Sequence, residues 1–201
     1  MEPIIHGVLL AFGLILPLGV QNVFVFTQGV TQPGLIKALP ATITAALCDT
    51  LLIILAILGL SLIVLQFEWL RIVLLVGGIV FLFYMGKVIW SSEAANMQGQ
   101  EALSVKKQIL FALSVSLLNP HALLDTIGVI GTSAVKYNEQ DLVSFALACI
   151  FVSWVWFFGL SILGATVKKI NISPKVFVLF NKCSALFIWG TALYLVKSLF
   201  S

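Results

Sequence analysis

The sequence predicts an all-α integral membrane protein, in which six transmembrane helices form two inverted repeats of three helices. Of its 201 residues, 61% are hydrophobic and only 9% are charged, whereas soluble domains carry about 25% charged residues. The hydrophobic residues form six long runs, each near or above the roughly 20 residues that cross a bilayer as a helix. Because three is an odd number, the second set of helices must cross the membrane upside down relative to the first.

The six apolar runs are separated by polar connections, and the longest connection divides the chain into two halves. We expect this connection, 91–107, to be a flexible linker between repeat halves of about 1–90 and 108–201. Both halves belong to one transmembrane domain that spans residues 1–201. The six runs are Ile4–Phe26, Ala38–Leu65, Leu70–Trp90, Ile109–Gly131, Leu142–Gly164 and Val176–Leu199.

Lysine and arginine residues in the connections predict the orientation, because short cytoplasmic loops are enriched in them. With six helices, seven of these residues fall on the side of the linker and three on the other side. This bias places the linker in the cytoplasm and both termini outside. A five-helix arrangement with a re-entrant first segment also leaves the linker inside. The seven residues are Lys37, Lys87, Lys106, Lys107, Lys168, Lys169 and Lys175, and the three are Arg71, Lys136 and Lys197.

Helix-breaking residues interrupt two of the six runs near their middles. Pro17 and Gly19 interrupt the first run, and Pro120 interrupts the fourth. Asn119 suits an N-cap and proline suits the first helical position, so a half-helix is predicted to begin there within the membrane. Broken helices at matching positions of inverted halves are typical of secondary transporters with a midplane binding site. The alternative interpretation is a pair of ordinary proline kinks.

Polar side chains follow both breaks, and a carboxylate lies in the second run. Gln21 and Asn22 follow the first break, and Asp49 lies near the centre of the second run. His121 and Asp125 follow the second break four residues apart, which places them on one face of a helix. Ionisable groups within a membrane are costly and indicate a functional site by default. Structural hydrogen bonds between helices are the alternative for each of these residues.

Together these features predict a substrate site at the two breaks. The N-termini of half-helices carry partial positive charge and free N–H groups, which suit a carboxylate. Two membrane carboxylates suit an ammonium or a cationic side chain, and a histidine suits proton coupling because it titrates near neutral pH. The candidate substrate-binding residues are Gln21, Asn22, Asp49, Asn119, His121 and Asp125, with Pro17, Gly19 and Pro120 as the helix breaks.

Motifs that would indicate other classes of protein are missing from the sequence. No serine or threonine follows Gly86 and Lys87, so there is no P-loop to couple ATP hydrolysis to transport. No HExxH, GxSxG or cysteine-rich cluster occurs, and two histidines are too few for most catalytic metal sites. The sequence therefore predicts no enzyme, no catalytic residue, no metal and no cofactor. The net charge of +3 is too small to indicate a nucleic-acid partner.

Three motifs follow one another along the chain: 16–22, then Cys48 with Asp49, then 118–126. With this order, length and helix layout, the chain resembles the LysE family of amino-acid exporters, and its basic amino-acid branch most. Val20 departs from the pattern, because many members carry a second proline there. The resemblance implies a multi-pass exporter of lysine or arginine in the inner (plasma) membrane of a bacterium, driven by an ion gradient. Its partners would be an amino-acid substrate, a coupling proton or sodium ion and the lipid bilayer, with a homo-oligomer left open.

Other functions remain open from the residues alone. Within transport, the substrate is alternatively a neutral amino acid, or a metal or other inorganic cation, although a ligand-rich cluster is missing. A membrane enzyme with His121 and Asp125 as an acid–base pair is a second class, but no nucleophile or metal motif accompanies them. A non-transporting assembly subunit is a third class, and it would not need two central breaks and buried acids.

Overall fold

Helices account for the regular structure of the protein wherever its structure is described. The computed structural model describes residues 1–16, 19–58, 68–91, 102–117, 126–169 and 174–199. In these ranges the regular elements are all helical, which confirms the all-α class.

Within the described residues, each predicted apolar run contains either one long helix or several shorter helical segments. The first run comprises α1 (Glu2–Ile15) and α2 (Val20–Thr31), whereas the fourth comprises α5 (Val105–Leu117), a π-helical segment (Thr126–Ile130) and α6 (Gly131–Ala134). Among the described residues, the remaining runs contain the helices α3 (Leu35–Ile57), α4 (Glu68–Trp90), α7 (Glu139–Lys169) and α8 (Pro174–Leu199).

The first run is interrupted where the sequence predicts a break. α1 ends at Ile15, and α2 begins at Val20 after Gly19, which has an extended backbone (φ −70°, ψ 170°). The two helices are bent by 80° relative to each other. Pro17 itself lies outside the described residues. So does the predicted second break at 118–125, including Asn119, Pro120, His121 and Asp125.

The described helices include elements that are long and apolar enough to cross a bilayer. Leu35–Ile57 and Glu139–Lys168 each meet this requirement, and Glu2–Ile15 with Val20–Thr31 adds a third span if the bent pair is one span. The arrangement of six spans in inverted repeats therefore stays a prediction.

Helix α7 is the element around which the first three helices pack. It contacts α1, α2 and α3, and it runs in the same direction as the broken first span. The Cys149 thiol donates to the Gly7 carbonyl of α1, whereas the Lys168 ammonium donates to the Gln32 carbonyl just after α2. α7 therefore lies beside both half-helices and beside the break between them.

Helix α7 is apolar on both of its faces, and the two faces differ in side-chain size. Val143, Leu147 and Phe151 recur on one face and are exposed. The opposite face buries small side chains, among them Cys149 and Ser153. A bilayer suits the large exposed side chains, and the small buried ones let neighbouring helices approach closely.

The end of the predicted linker is held against the helices. The Leu103 carbonyl accepts hydrogen bonds from the side-chain amides of Gln32 (3.1 Å) and Gln108 (2.9 Å). Gln108 also donates to the Lys37 carbonyl at 3.0 Å. α5 already begins at Val105, so the last three residues of the expected linker are helical. Buried amides fix this end of the linker because their hydrogen bonds offset the cost of burial.

Candidate functional site

The N-terminus of α2 brings the first backbone N–H groups of a helix together with two buried amide side chains. Gly19 accepts from the backbone N–H of Val23 at 3.1 Å, and no side chain caps the helix. The first N–H groups of a helix have no intrahelical acceptor and carry partial positive charge. Gln21 and Asn22 are buried in this first turn, as the sequence places them.

Asp49 lies where α2, α3 and α7 meet, and neutral donors hold both of its carboxylate oxygens. The Gln21 side-chain amide donates to Oδ1 at 3.4 Å, and the Ser153 hydroxyl donates to Oδ2 at 2.9 Å. Gln21 also donates to the Ala45 carbonyl at 3.4 Å. Within the described part of the chain, no cationic side chain pairs with Asp49. The carboxylate is thus oriented by hydrogen bonds, while its charge has no counter-ion among the described residues.

Asn22 joins the two half-helices at the break and connects them to α7. Its amide Nδ2 donates to the carbonyl of Ile15, the last residue of α1, at 2.7 Å. Its Oδ1 accepts from the indole N–H of Trp156 at 3.2 Å. The last carbonyls of a helix lack intrahelical donors, so Asn22 satisfies a group that the break leaves unpaired.

A second indole of α7 bonds to the residue that follows Asp49. Trp154 donates through Nε1 to the Thr50 hydroxyl at 3.0 Å, and this hydroxyl donates to the Ala46 carbonyl at 2.8 Å. The Trp154 ring also stacks on Phe158. This indole therefore helps to pack α7 against α3, away from the break.

Helix α5, from the second half of the chain, packs against α3. The buried Ser116 hydroxyl lies beside the Cys48 thiol, next to Asp49 in α3. The chain then passes into 118–125, which holds the candidate residues Asn119, His121 and Asp125 outside the described structure. The structure thus brings together Gln21, Asn22 and Asp49.

Sequence reasoning missed Ser153 and Trp156 as members of this site. Ser153 is only 2% exposed, and its sequence context is typical of a small residue that packs between helices. Trp156 lies in an aromatic stretch that is typical of bundle and lipid surfaces. The available signal was their spacing, because residues three apart in a helix are neighbours on one face.

A bundle of apolar helices with a broken first span and a carboxylate among its helices defines a class, that of membrane transport proteins. The LysE-type translocator family matches residues 12–199 of the chain. The chain therefore belongs to the LysE-type translocator family. This is a family of membrane transporters that act on amino acids, so the chain is assigned to transmembrane amino-acid export and not to an enzyme family.

Relatives with curated names match almost the whole chain. The chain is 51% identical to the "Putative amino-acid transporter YisU" of Bacillus subtilis (strain 168), over 100% of this chain and 91% of the relative. It is 33% identical to the arginine exporter protein ArgO of Enterobacter sp. (strain 638) and 32% identical to that of Escherichia coli (strain K12). Both alignments cover 96% of this chain and 92% of the relative. No solved structure matches the chain.

Proposed function

We propose that the protein is a secondary active exporter of cationic amino acids, with arginine or lysine as substrate. In this proposal an ion gradient drives export by alternating access across the inner membrane of a bacterium. The observation that carries it is Asp49, a carboxylate held within the helix bundle by Gln21 and Ser153 with no described cationic partner. The relatives named as arginine exporters support the choice of substrate.

The proposed site recognises the two ends of a cationic amino acid separately. The N–H groups at the start of α2 suit its α-carboxylate. Asp49 suits its ammonium or guanidinium, because a carboxylate within a membrane favours a compensating positive charge. Asn119, His121 and Asp125 are proposed to add the matching half of the site from the second break, with His121 serving proton coupling. Sodium remains the alternative coupling ion.

We assign Asn22 to the geometry of the break instead of direct substrate contact. Its amide is engaged by the Ile15 carbonyl and by Trp156. Gln21 is assigned to holding Asp49. The first break therefore offers its backbone N–H groups to the substrate, while its side chains fix their position.

The proposed topology has six spans, with the linker in the cytoplasm and the termini outside. Contacts at the two ends of the bundle support it. At one end Gln108 contacts Lys37 and Lys168 contacts Gln32, which groups residues that the lysine bias places in the cytoplasm. At the other end Lys136 lies 4.0 Å from Glu2, which groups the N-terminus with a connection predicted to be outside.

Cysteine labelling tests this topology with two exposed positions. Ala102→Cys and Asn138→Cys are introduced singly after Cys48, Cys149 and Cys183 have been replaced by serine or alanine. We expect a membrane-impermeant maleimide to label position 138 in intact cells and position 102 only after permeabilisation. The cysteine-free protein is the control for background labelling. Labelling of position 102 but not of position 138 in intact cells would show that the orientation is opposite to the proposed one.

Reconstituted protein tests the function directly. Proteoliposomes are preloaded with radiolabelled arginine, lysine or a neutral amino acid, and a proton or sodium gradient is imposed. We expect gradient-dependent efflux of arginine or lysine that exceeds efflux from protein-free liposomes. Efflux of the neutral amino acid alone would contradict the cationic substrate. Efflux at the same rate with and without each gradient would contradict secondary active transport. The absence of efflux of any amino acid would contradict the proposal as a whole.

A further inference from the structure

The side chain of Asn22 bridges the break between α1 and α2. The Ile15 carbonyl, at the end of α1, accepts from Asn22 Nδ2 at 2.7 Å, and Asn22 lies in the first turn of α2. This hydrogen bond spans the break and ties the end of one half-helix to the start of the next. The direction of the first N–H groups of α2 therefore depends on where Asn22 is held.

One indole of α7 contacts both half-helices at this point. Trp156 donates from Nε1 to Asn22 Oδ1 at 3.2 Å, so it fixes which way the Asn22 amide faces. Its ring also meets the ring of Phe12, in the last turn of α1, edge to face with centroids 6.3 Å apart. Because edge-to-face pairs and hydrogen bonds are both directional, this indole fixes the break from a third helix.

The same turn of α7 also holds the carboxylate of the site. Ser153 lies three residues before Trp156, on the same face of the helix, and donates to Asp49 Oδ2 at 2.9 Å. One helical turn of α7 thus contacts the break through Trp156 and the carboxylate through Ser153. It sets the separation between the two groups that the proposed function assigns to opposite ends of one substrate.

We propose that Trp156 is a positioning residue of the transport site, which acts through Asn22 to aim the N–H groups of α2 at the α-carboxylate of the substrate. The inference rests on the proposed function, because it needs a substrate with a carboxylate at the break. It assigns Trp156 to recognition of the carboxylate end and leaves recognition of the cationic end to Asp49.

The test compares arginine with agmatine, which is arginine without the α-carboxylate. Both are measured as competitors of radiolabelled arginine export in proteoliposomes. Trp156→Phe keeps an aromatic ring but removes the N–H donor. We expect its inhibition constant for arginine to rise about five- to tenfold, the change that follows from losing about one hydrogen bond. Its inhibition constant for agmatine should stay at the wild-type value.

The matched control is Trp154→Phe, which removes the indole donor two residues away on the same helix. Trp154 bonds to Thr50 instead of Asn22, so both inhibition constants should stay at their wild-type values. A purely structural role for Trp156 would lower the melting temperature or the maximal rate and would change the two constants equally. That outcome, or an unchanged arginine constant in Trp156→Phe, would overturn the inference while arginine export by the wild type upholds the proposed function.

A second variant keeps the inference testable if Trp156→Phe folds poorly. Asn22→Ala removes the bridging amide and should raise the arginine constant while leaving the agmatine constant unchanged. Because Trp156 is proposed to act through Asn22, adding Trp156→Phe to Asn22→Ala should cause no further rise. Additive effects of the two changes would overturn the inference. A wild-type protein that exports neither arginine nor lysine would overturn both this inference and the proposed function.

Discussion

Asp49→Asn is expected to weaken arginine export strongly while leaving the helix bundle folded. Asparagine keeps the shape of aspartate, and its side-chain oxygen still accepts a hydrogen bond from Ser153 or Gln21. The lost interaction is a charge-assisted hydrogen bond to the substrate cation, which contributes roughly 1.5–3 kcal/mol. Since 1.4 kcal/mol is about a tenfold change in binding, affinity for arginine should fall roughly ten- to a hundredfold.

The measurement is the concentration dependence of arginine and neutral amino-acid transport in the same proteoliposomes. Asp141→Asn is the matched control, because it neutralises a carboxylate in the first turn of α7, away from Asp49. In Asp49→Asn the affinity for arginine should fall more than the affinity for the neutral amino acid. In Asp141→Asn neither affinity should change. Equal loss for all substrates together with a lower melting temperature would indicate a structural carboxylate. Unchanged arginine affinity would exclude the binding role.

The sequence carries strong local signals for the helices and for the first break. The run Leu70–Trp90 matches α4 (Glu68–Trp90) closely, because a change from polar to apolar residues marks where a membrane helix begins and ends. The break falls between Ile15 and Val20 because Pro17 and Gly19 disfavour a continuous helix. The sequence also marks Asp49 as a candidate, since an isolated carboxylate in an apolar run is unusual, and its role in a site stays a prediction.

The partners of Asp49 could not be predicted in the same way. Ser153 lies 104 residues from Asp49 in sequence, so their contact depends on how α7 packs against α3. Hydropathy does not reveal which side of α7 faces inward, because exposed Phe151 and buried Cys149 are both apolar. The contacts at the end of the linker could not be predicted for a related reason. The polar composition of the linker favours flexibility, whereas Gln32 and Gln108 hold Leu103 in place through tertiary hydrogen bonds.

Small residues decide how closely α2 and α7 approach, and Gly164→Ala tests that contact. A Cβ at Gly164 would overlap the Phe26 carbonyl oxygen and lie 3.0 Å from the Val30 backbone nitrogen. Backbone atoms cannot rotate away as a side chain can, so the two helices would have to separate. Overpacking of this kind costs about 1–3 kcal/mol, and we expect the melting temperature of the purified protein to fall by about 2–12 °C.

Gly159→Ala supplies the matched control for Gly164→Ala, because it makes the same change five residues earlier in the same helix. A Cβ at Gly159 would meet no atom within 4 Å among the described residues. Alanine favours a helix over glycine by about 1 kcal/mol, so this variant should melt at or slightly above the wild-type temperature. The melting temperature should therefore fall in Gly164→Ala but not in Gly159→Ala, which separates the effect of helix packing from that of helix propensity. If both variants melted alike, α2 and α7 would not be in backbone contact at Gly164, and the fixed distance from α7 to the break would lose its support.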